Sequence, residues 1–184
     1  MSDVSVRVAW ADDARAIAEL QLRTWRADYA SLLPAEALPG AEAVEPAAAA
    51  WHASLTRPRD ARNRVLVALE RNRVVGFAIT SPASDPDCDP VADAEIVELG
   101  VDPDERTKGH GSRLLQAAVD TLVADRFTRA VHWAIATDDE RRAFLTSAGW
   151  APDSAHRELD LDGSGATTVK QVRLHTALTD TALS

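Results

Sequence analysis

The chain has 184 residues, 46% of them hydrophobic, and a formal net charge of −9 at pH 7. This length predicts a single domain over residues 1–184, and the apolar content is sufficient for a buried core. The negative charge argues against broad binding of nucleic acids or anionic membranes, because both require a basic surface. An acidic protein instead suits a cationic substrate.

Cysteine usage and apolar runs narrow the class of protein further. Cys88 is the single cysteine, so no internal disulfide can form and no thiolate metal cluster is expected. The five histidines lack the spacing of metal ligands, and no metal is predicted. The N-terminal sequence has no apolar segment typical of a secretory signal, and no apolar run reaches the roughly 18 residues of a membrane span. We therefore expect a soluble cytoplasmic protein.

The first half of the chain changes its hydrophobic period twice. "VSVRVAW" alternates apolar and polar residues, as a half-buried strand does. Residues 12–29 then carry apolar side chains at helical spacing, and "EPAAAAWHASL" predicts a second helix with its proline in the first turn. "RVLVALE" and "RVVGFAIT" are apolar strands on either side of a short polar turn, which predicts a hairpin.

The second half alternates strands and helices. "AEIVELGV" predicts a strand that leads through a glycine-containing turn into an amphipathic helix. "AVHWAIA" predicts the next strand, "DDERRAFLTSAGW" a helix, and "RELDL" with "TTVKQVRLHTAL" a final hairpin. The resulting order, β-α-α-β-β-β-α-β-α-β-β, indicates an α/β (α+β) protein with a mixed sheet and helices on its faces.

The glycine-containing turn is the clearest candidate binding site. "RTKGHGS", residues 106–112, stands at the mouth of a helix and contains Gly109 and Gly111. The first turn of a helix leaves backbone N–H groups without partners, and glycine lets a bulky anion approach them, so this turn could hold a phosphate. A Walker loop would need a lysine after the second glycine, and a dinucleotide fingerprint would need glycine where Leu114 stands. An ordinary loop remains the alternative.

These residues resemble motif A of the GCN5-related N-acetyltransferase (GNAT) superfamily. The motif's core, [RQ]-x-x-G-x-[GA], corresponds here to Arg106, Gly109 and Gly111. "AEIVELGV" is similar to the family's fourth strand, and the segment ending in Gly149 and Trp150 is similar to its motif B. The resemblance covers essentially the whole chain, including an N-terminal part like that of many bacterial members. It implies the GNAT fold: a mixed, mostly antiparallel sheet of about seven strands with flanking helices and splayed fourth and fifth strands.

The resemblance also implies an N-acetyltransferase that takes its acetyl group from acetyl-CoA. The coenzyme's pyrophosphate would lie on the amides of the glycine turn, and its pantetheine arm would pair with the backbone at the end of the fourth strand. Asp138 stands where the family often has an asparagine. The implied cofactor-binding residues are Leu99, Gly100, Val101, Arg106, Lys108, Gly109, His110, Gly111, Ser112 and Asp138.

Two glutamates are candidate general bases, because an attacking amine must be neutral. Glu95 and Glu98 are three residues apart on one strand, so they lie on opposite faces and only one can point to the acceptor unless a bulge intervenes. The resemblance to histone-acetylating members favours Glu95, with Glu98 as the alternative. A surface or ion-paired role for either carboxylate stays open.

The general acid is not identified. Leu145 stands where many members carry the tyrosine that protonates the departing thiolate. A water molecule or Ser147 could serve instead, or the thiolate could leave unprotonated. The missing tyrosine also leaves a second function open, that of a catalytically weak domain that binds or senses acyl-CoA. A third alternative is an unrelated phosphate-binding enzyme.

The acceptor is a primary amine whose identity the sequence does not give. Trp25, Tyr29 and Glu95 are candidate substrate-binding residues, although helical spacing favours core packing for Trp25. The segment "SPASDPDCDPVAD" predicts an acidic, proline-rich loop, and its carboxylates at Asp85, Asp87 and Asp89 could attract a cationic amine. A homodimer is the common default for soluble proteins of this kind.

Overall fold

The computed structural model describes residues 4–179 and contains the predicted order of elements. The strands of this part are β1 (Val4–Val8), β2 (Arg64–Glu70), β3 (Arg73–Pro82), β4 (Asp93–Val101), β5 (Arg129–Ile135), β6 (Ala151–Asp160) and β7 (Thr168–Ala177). Its α-helices are α1 (Ala14–Asp28), α2 (Val44–Thr56), α3 (His110–Ala124) and α4 (Asp139–Ser147). None of the helices in residues 4–179 is both long and apolar enough to cross a membrane.

The strands form one mixed sheet, which confirms the predicted fold class. Its hydrogen-bonded order is β1-β2-β3-β4-β5-β7-β6. The pairs β1–β2, β2–β3, β5–β7 and β6–β7 are antiparallel, whereas β4 and β5 run parallel. The β4–β5 register runs from Asp93↔Arg129 to Glu95↔Val131, which covers the first three residues of β4.

The described chain falls into two compact units. The first comprises residues 4–81 and 98–120, and the second comprises residues 82–97 and 121–179. The domain expected over residues 1–184 also includes 1–3 and 180–184, which lie outside the described residues.

The core of the first unit follows from the amphipathic pattern of α1. Ile17 and Leu20, three residues apart, lie on one helix face and are fully buried. They belong to a cluster with Trp51 of α2 and Phe77 of β3, whose rings meet edge to face with centroids 5.9 Å apart. Burying each such side chain contributes about 1.5–3 kcal/mol, so this cluster is a main source of the unit's stability.

Strand β6 begins earlier than the sequence pattern predicts. The alternation of "RELDL" predicts a strand from residue 157, but β6 starts at Ala151. Its register with β7 shifts between Pro152 and His156, and Ser154 has φ of 73°. A proline and a bulge disturb the two-residue period, and this explains why the first part of the strand was not predicted.

Candidate functional site

The predicted phosphate turn, residues 106–112, lies in the first unit and includes the first three residues of α3. Gly109 has φ of 85°, in the left-handed region that favours glycine, and its carbonyl accepts the N–H of Arg113 at 3.2 Å. Within residues 4–179, nothing accepts a hydrogen bond from the backbone N–H groups of residues 109–112. Unpartnered amides at the positive end of a helix dipole fit a diphosphate.

Basic side chains around this turn are paired within the chain. Lys108 Nζ lies 2.6 Å from a Glu105 carboxylate oxygen, and Arg73 binds the other oxygen of the same carboxylate. These two cations, Lys108 first, lower the pKa of Glu105 to about 2. Arg106 donates to Asp28 at 2.8 Å. Carboxylates thus balance both Lys108 and Arg106, so the backbone amides of residues 109–112 are the main candidate anion-binding groups.

His110 is the buried residue of the turn. Its side chain is 2% exposed, and neither ring nitrogen has a hydrogen-bond partner. Nε2 lies 3.6 Å from a carboxylate oxygen of Glu70, and donor atoms of Glu70, Glu105 and His110 all lie within 4.8 Å of one another. Because Glu105 is already engaged by two basic side chains, a cation at this cluster would compete with them.

The end of β4 offers backbone rather than side chains. Leu99 is 5% exposed, and Gly100 is buried. A Cβ added to Gly100 would lie 2.7 Å from Cε1 of Phe77, so this position requires glycine for packing. The carbonyl of Val101 accepts a hydrogen bond from Arg106 Nε at 3.3 Å, which ties the strand end to the phosphate turn.

Glu98, the alternative base, is held by two donors in the first unit. Gln21 Nε2 and Trp25 Nε1 each donate to one carboxylate oxygen at 2.7 Å. Gln21 in turn accepts a hydrogen bond from Trp51 Nε1 at 2.9 Å, so its amide is fixed. Donors on both oxygens therefore hold the Glu98 carboxylate in one orientation.

The two aromatic candidates of α1 differ in their surroundings. Trp25 is 37% exposed, so the core position predicted for it is wrong. Its indole N–H is fixed by Glu98 while part of the ring faces solvent. Tyr29 ends α1, and its carbonyl accepts the N–H groups of Leu32 and Leu33 at 2.9 Å. Substrate contact by either ring remains a prediction.

Glu95, the favoured base, lies in the second unit and is 7% exposed. Within the described part of the chain, its carboxylate makes no hydrogen bond or ion pair. Burial, and then the negative charge of Asp85, raises its pKa, against the opposing effects of Arg157 and Arg173. A buried carboxylate that has no partner and a raised pKa takes up a proton more readily than an exposed glutamate, which is what a general base requires.

Arg173 was missed by the sequence reasoning and is the centre of an ionic network. It is 4% exposed and contacts carboxylates of Asp87 at 2.6 Å, Asp153 at 2.7 Å and Asp85 at 3.3 Å. Trp133 Nε1 also donates to Asp85, at 2.9 Å. Arg173 lowers the pKa of Asp87 to about 2. The charge of the acidic loop is therefore largely balanced internally, which weakens the expectation that Asp85 and Asp87 attract a cationic amine.

One signal in the sequence points to this network. Val169, Gln171 and Arg173 alternate along β7, and all three are buried. The two-residue alternation therefore places Arg173 on the buried face of β7. A buried arginine requires carboxylates, and the proline-rich loop of residues 82–92 carries three aspartates and no basic residue.

We expect Arg173→Met to lower the free energy of unfolding by about 3 kcal/mol, because it removes the buried cation that Asp85, Asp87 and Asp153 share. Arg157→Met is the matched control. Arg157 stacks on the Trp133 ring at 4.3 Å and lies 3.9 Å from Asp85, but its side chain is 42% exposed. The control should therefore cost only about 1 kcal/mol or less. Urea unfolding checks both variants, and equal losses would contradict the central role of Arg173.

His132 of β5 is buried and neutral. It is 5% exposed, and its Nδ1 lies 2.6 Å from the carbonyl oxygen of Ile96. A carbonyl only accepts, so Nδ1 carries the proton and Nε2 is the acceptor of the neutral ring. Burial, and then the charge of Arg141, lowers the pKa of His132 to about 4.

This depressed pKa predicts a loss of stability in acid. Because the folded-state pKa of about 4 lies below the ordinary 6.5, the contribution of His132 is fully present above pH 6.5 and is lost as the pH falls towards 4. We expect wild type to lose up to about 3 kcal/mol more than His132→Asn between these limits. Urea unfolding at several pH values tests this, and parallel profiles would refute it.

Three residues in or next to α4 were considered for cofactor binding or as the general acid: Asp138, Leu145 and Ser147. Asp138 is the N-cap of α4 and accepts the N–H of Arg141 at 2.9 Å. Leu145 is 1% exposed, so no polar group replaces the family's tyrosine at this position. Ser147 donates its hydroxyl to the Phe144 carbonyl at 2.7 Å, which engages the proton that a general acid would deliver.

Comparisons with known proteins identify the family and the fold of this chain. The Acetyltransferase (GNAT) family matches residues 16–150, whereas no curated protein sequence matches significantly. The fold is similar to PaiA N-acetyltransferase of Thermoplasma acidophilum, solved with coenzyme A (15% identity, TM-score 0.73, 95% of this chain and 99% of that one). It is also similar to yncA of Salmonella typhimurium, solved with acetyl-CoA (17% identity, TM-score 0.69, 97% of this chain and 96% of that one). A third similar structure is that of ribosomal-protein-alanine N-acetyltransferase of Brucella melitensis (18% identity, TM-score 0.73, 95% of this chain and 99% of that one). Since the family match spans well over half of the sequence, this chain belongs to the GNAT acetyltransferase family.

Proposed function

We propose that this chain transfers the acetyl group of acetyl-CoA to a primary amine by direct attack in a ternary complex. The observation that carries the proposal is Glu95, a buried carboxylate without a partner in the described chain and with a raised pKa. Coenzyme A and acetyl-CoA in the structures of PaiA and yncA support this donor. A cytoplasmic location and a homodimer remain predictions from the sequence.

The coenzyme-binding roles fall on residues of the first unit. The unpartnered amides of residues 109–112 would hold the pyrophosphate, and Gly109 provides the left-handed backbone that the turn needs. Arg106 would act structurally, because its guanidinium joins the turn to Val101 and Asp28. The backbone of residues 99–101 would pair with the amide-containing pantetheine arm as a strand pairs with its neighbour.

Glu95 would accept the proton of the attacking amine, directly or through one water molecule. Its pKa is raised, and a base is most effective when its pKa lies near the working pH. The amine nitrogen forms a bond to the acetyl carbon, the carbon–sulfur bond breaks, and the electron pair leaves on sulfur. An ordinary thiol has a pKa of about 8.5, so the thiolate can depart and then take a proton from solvent. Leu145 is compatible with this route, which needs no tyrosine.

A ligand screen followed by a turnover assay tests the proposal. A ligand at about 100 times its dissociation constant stabilises the folded state by about 2.7 kcal/mol. We expect acetyl-CoA and coenzyme A to raise the melting temperature and ATP and NAD to leave it unchanged. An amine panel with acetyl-CoA should then release free thiol. Stabilisation by ATP or NAD in place of coenzyme A would refute the proposal, and binding without thiol release would favour an acyl-CoA-sensing domain.

A further inference from the structure

The carbonyl of Ile96 lies on the edge of β4 that faces β5. Just before β4, the carbonyl of Ala92 accepts the backbone N–H groups of Thr128 and Arg129, at 2.9 and 3.3 Å. Carbonyls of a strand alternate between its two edges, so those of residues 92, 94 and 96 face β5. The intervening carbonyl of Asp93 follows the same rule, since it bonds to Ala83 instead.

The matching donor on β5 is the backbone N–H of Trp133. Leu178 donates to the Thr128 carbonyl at one end of β5, and Ala136 donates to Lys170 at the other, so even-numbered residues of β5 bond to β7. Odd-numbered residues therefore face β4. In a continued parallel ladder, the Trp133 N–H would bond to the Ile96 carbonyl. The β4–β5 register nevertheless ends one residue earlier, at Glu95↔Val131.

The side chain of His132, rather than the backbone N–H of Trp133, donates to the Ile96 carbonyl. His132 Nδ1 donates to Ile96 at 2.6 Å, and the ring is 5% exposed, so the bond is shielded from water. Shielding from water makes such a hydrogen bond costly to lose. The imidazole thus stands at the end of the ladder and caps it.

We propose that His132 is a positioning residue that ends the β4–β5 ladder and fixes the point at which the two strands part, immediately after the proposed base Glu95. Its importance for catalysis rests on the proposed function, in which a thioester must reach the amine activated by Glu95. A shift of about 1 Å in such a geometry can reduce turnover about 100-fold. His132 therefore acts through the backbone of Ile96 and needs no contact with the substrate.

A pair of variants separates the hydrogen bond from simple packing. His132→Asn keeps an N–H donor at the position of Nδ1, whereas His132→Leu has a similar size and no donor. In the leucine variant we expect the Ile96 carbonyl to pair with Trp133, so that hydrogen exchange of the Trp133 amide slows. We also expect kcat to fall by about 100-fold while the dissociation constant of coenzyme A stays near that of wild type. The asparagine variant should restore both properties.

Two results would overturn the inference. One is an unchanged exchange rate of the Trp133 amide in His132→Leu, and the other is an equal loss of kcat in the leucine and asparagine variants. If wild type shows no turnover with any amine, the proposed function fails instead. The exchange measurement then still decides whether His132 ends the ladder, because it needs no substrate.

Discussion

Replacing Glu95 by glutamine should lower kcat by about 100-fold or more at neutral pH, because a positioned general base contributes about 100- to 10,000-fold to proton transfer. Glutamine keeps the size and polarity of the side chain but cannot accept the amine's proton. The dissociation constant of coenzyme A should stay unchanged, since the proposed pyrophosphate site uses amides of residues 109–112. Steady-state kinetics and calorimetric titration measure the two effects separately.

The dependence of kcat on pH distinguishes Glu95 from Glu98 as the general base. A base works when ionised, so the wild-type rate should rise with pH through the pKa of Glu95, which lies above its ordinary value. Glu95→Gln should lose that limb. Glu98→Gln should keep it, because Glu98 already accepts hydrogen bonds on both oxygens from Gln21 and Trp25. If the rate of Glu98→Gln no longer rises with pH while that of Glu95→Gln still does, Glu98 is the base and Glu95 is not.

Replacing Gly111 by aspartate should weaken coenzyme A binding by at least about 100-fold. A carboxylate about 4 Å from a phosphate opposes binding by about 4 kcal/mol at an effective dielectric constant of 20. The variant should fold normally, because Gly111 lies in the first turn of α3, where a negative charge stabilises a helix by about 0.3–1 kcal/mol. The expected signature is weak binding in a protein whose melting temperature is unchanged or higher.

Gly111→Asn is the matched control, because asparagine has the shape of aspartate without its charge. We expect it to bind coenzyme A more tightly than the aspartate variant, and the ratio of the two dissociation constants measures the electrostatic part. If both variants bind as wild type does, the diphosphate does not lie on this turn. Calorimetric titration at low and high salt would show whether the difference is screened, as a charge effect should be.

Local patterns were sufficient to predict the order of elements and the glycine turn. Helical and strand periods differ, and both are visible within a few residues, so the positions of β2, β4 and α3 follow directly. The turn is equally local, since its chemistry depends on glycines at the start of one helix. The position of Glu95 and Glu98 on β4 is equally local, whereas their placement on opposite faces stays a prediction from the two-residue period of a strand.

The partners of the site residues could not be predicted, because they are distant in sequence. Arg173 and Asp87 are 86 residues apart, Gln21 and Glu98 are 77 apart, and His132 and Ile96 are 36 apart. No periodicity links such positions; only the packed chain brings them together. Periodicity also predicted burial for Trp25, although a polar indole N–H can bond to a carboxylate at the edge of a core and leave the ring half in water.

The hydrogen-bonded chain from Trp51 through Gln21 to Glu98 has a consequence for protein engineering. A designer who grafts new α1 and α2 segments to change acceptor preference would also remove the donors that satisfy Glu98. The grafted protein would then lose two hydrogen bonds to a half-buried carboxylate, at a cost of about 1–3 kcal/mol. Successful chimaeras should therefore either carry Gln21 and Trp25 along or replace Glu98 together with the helices.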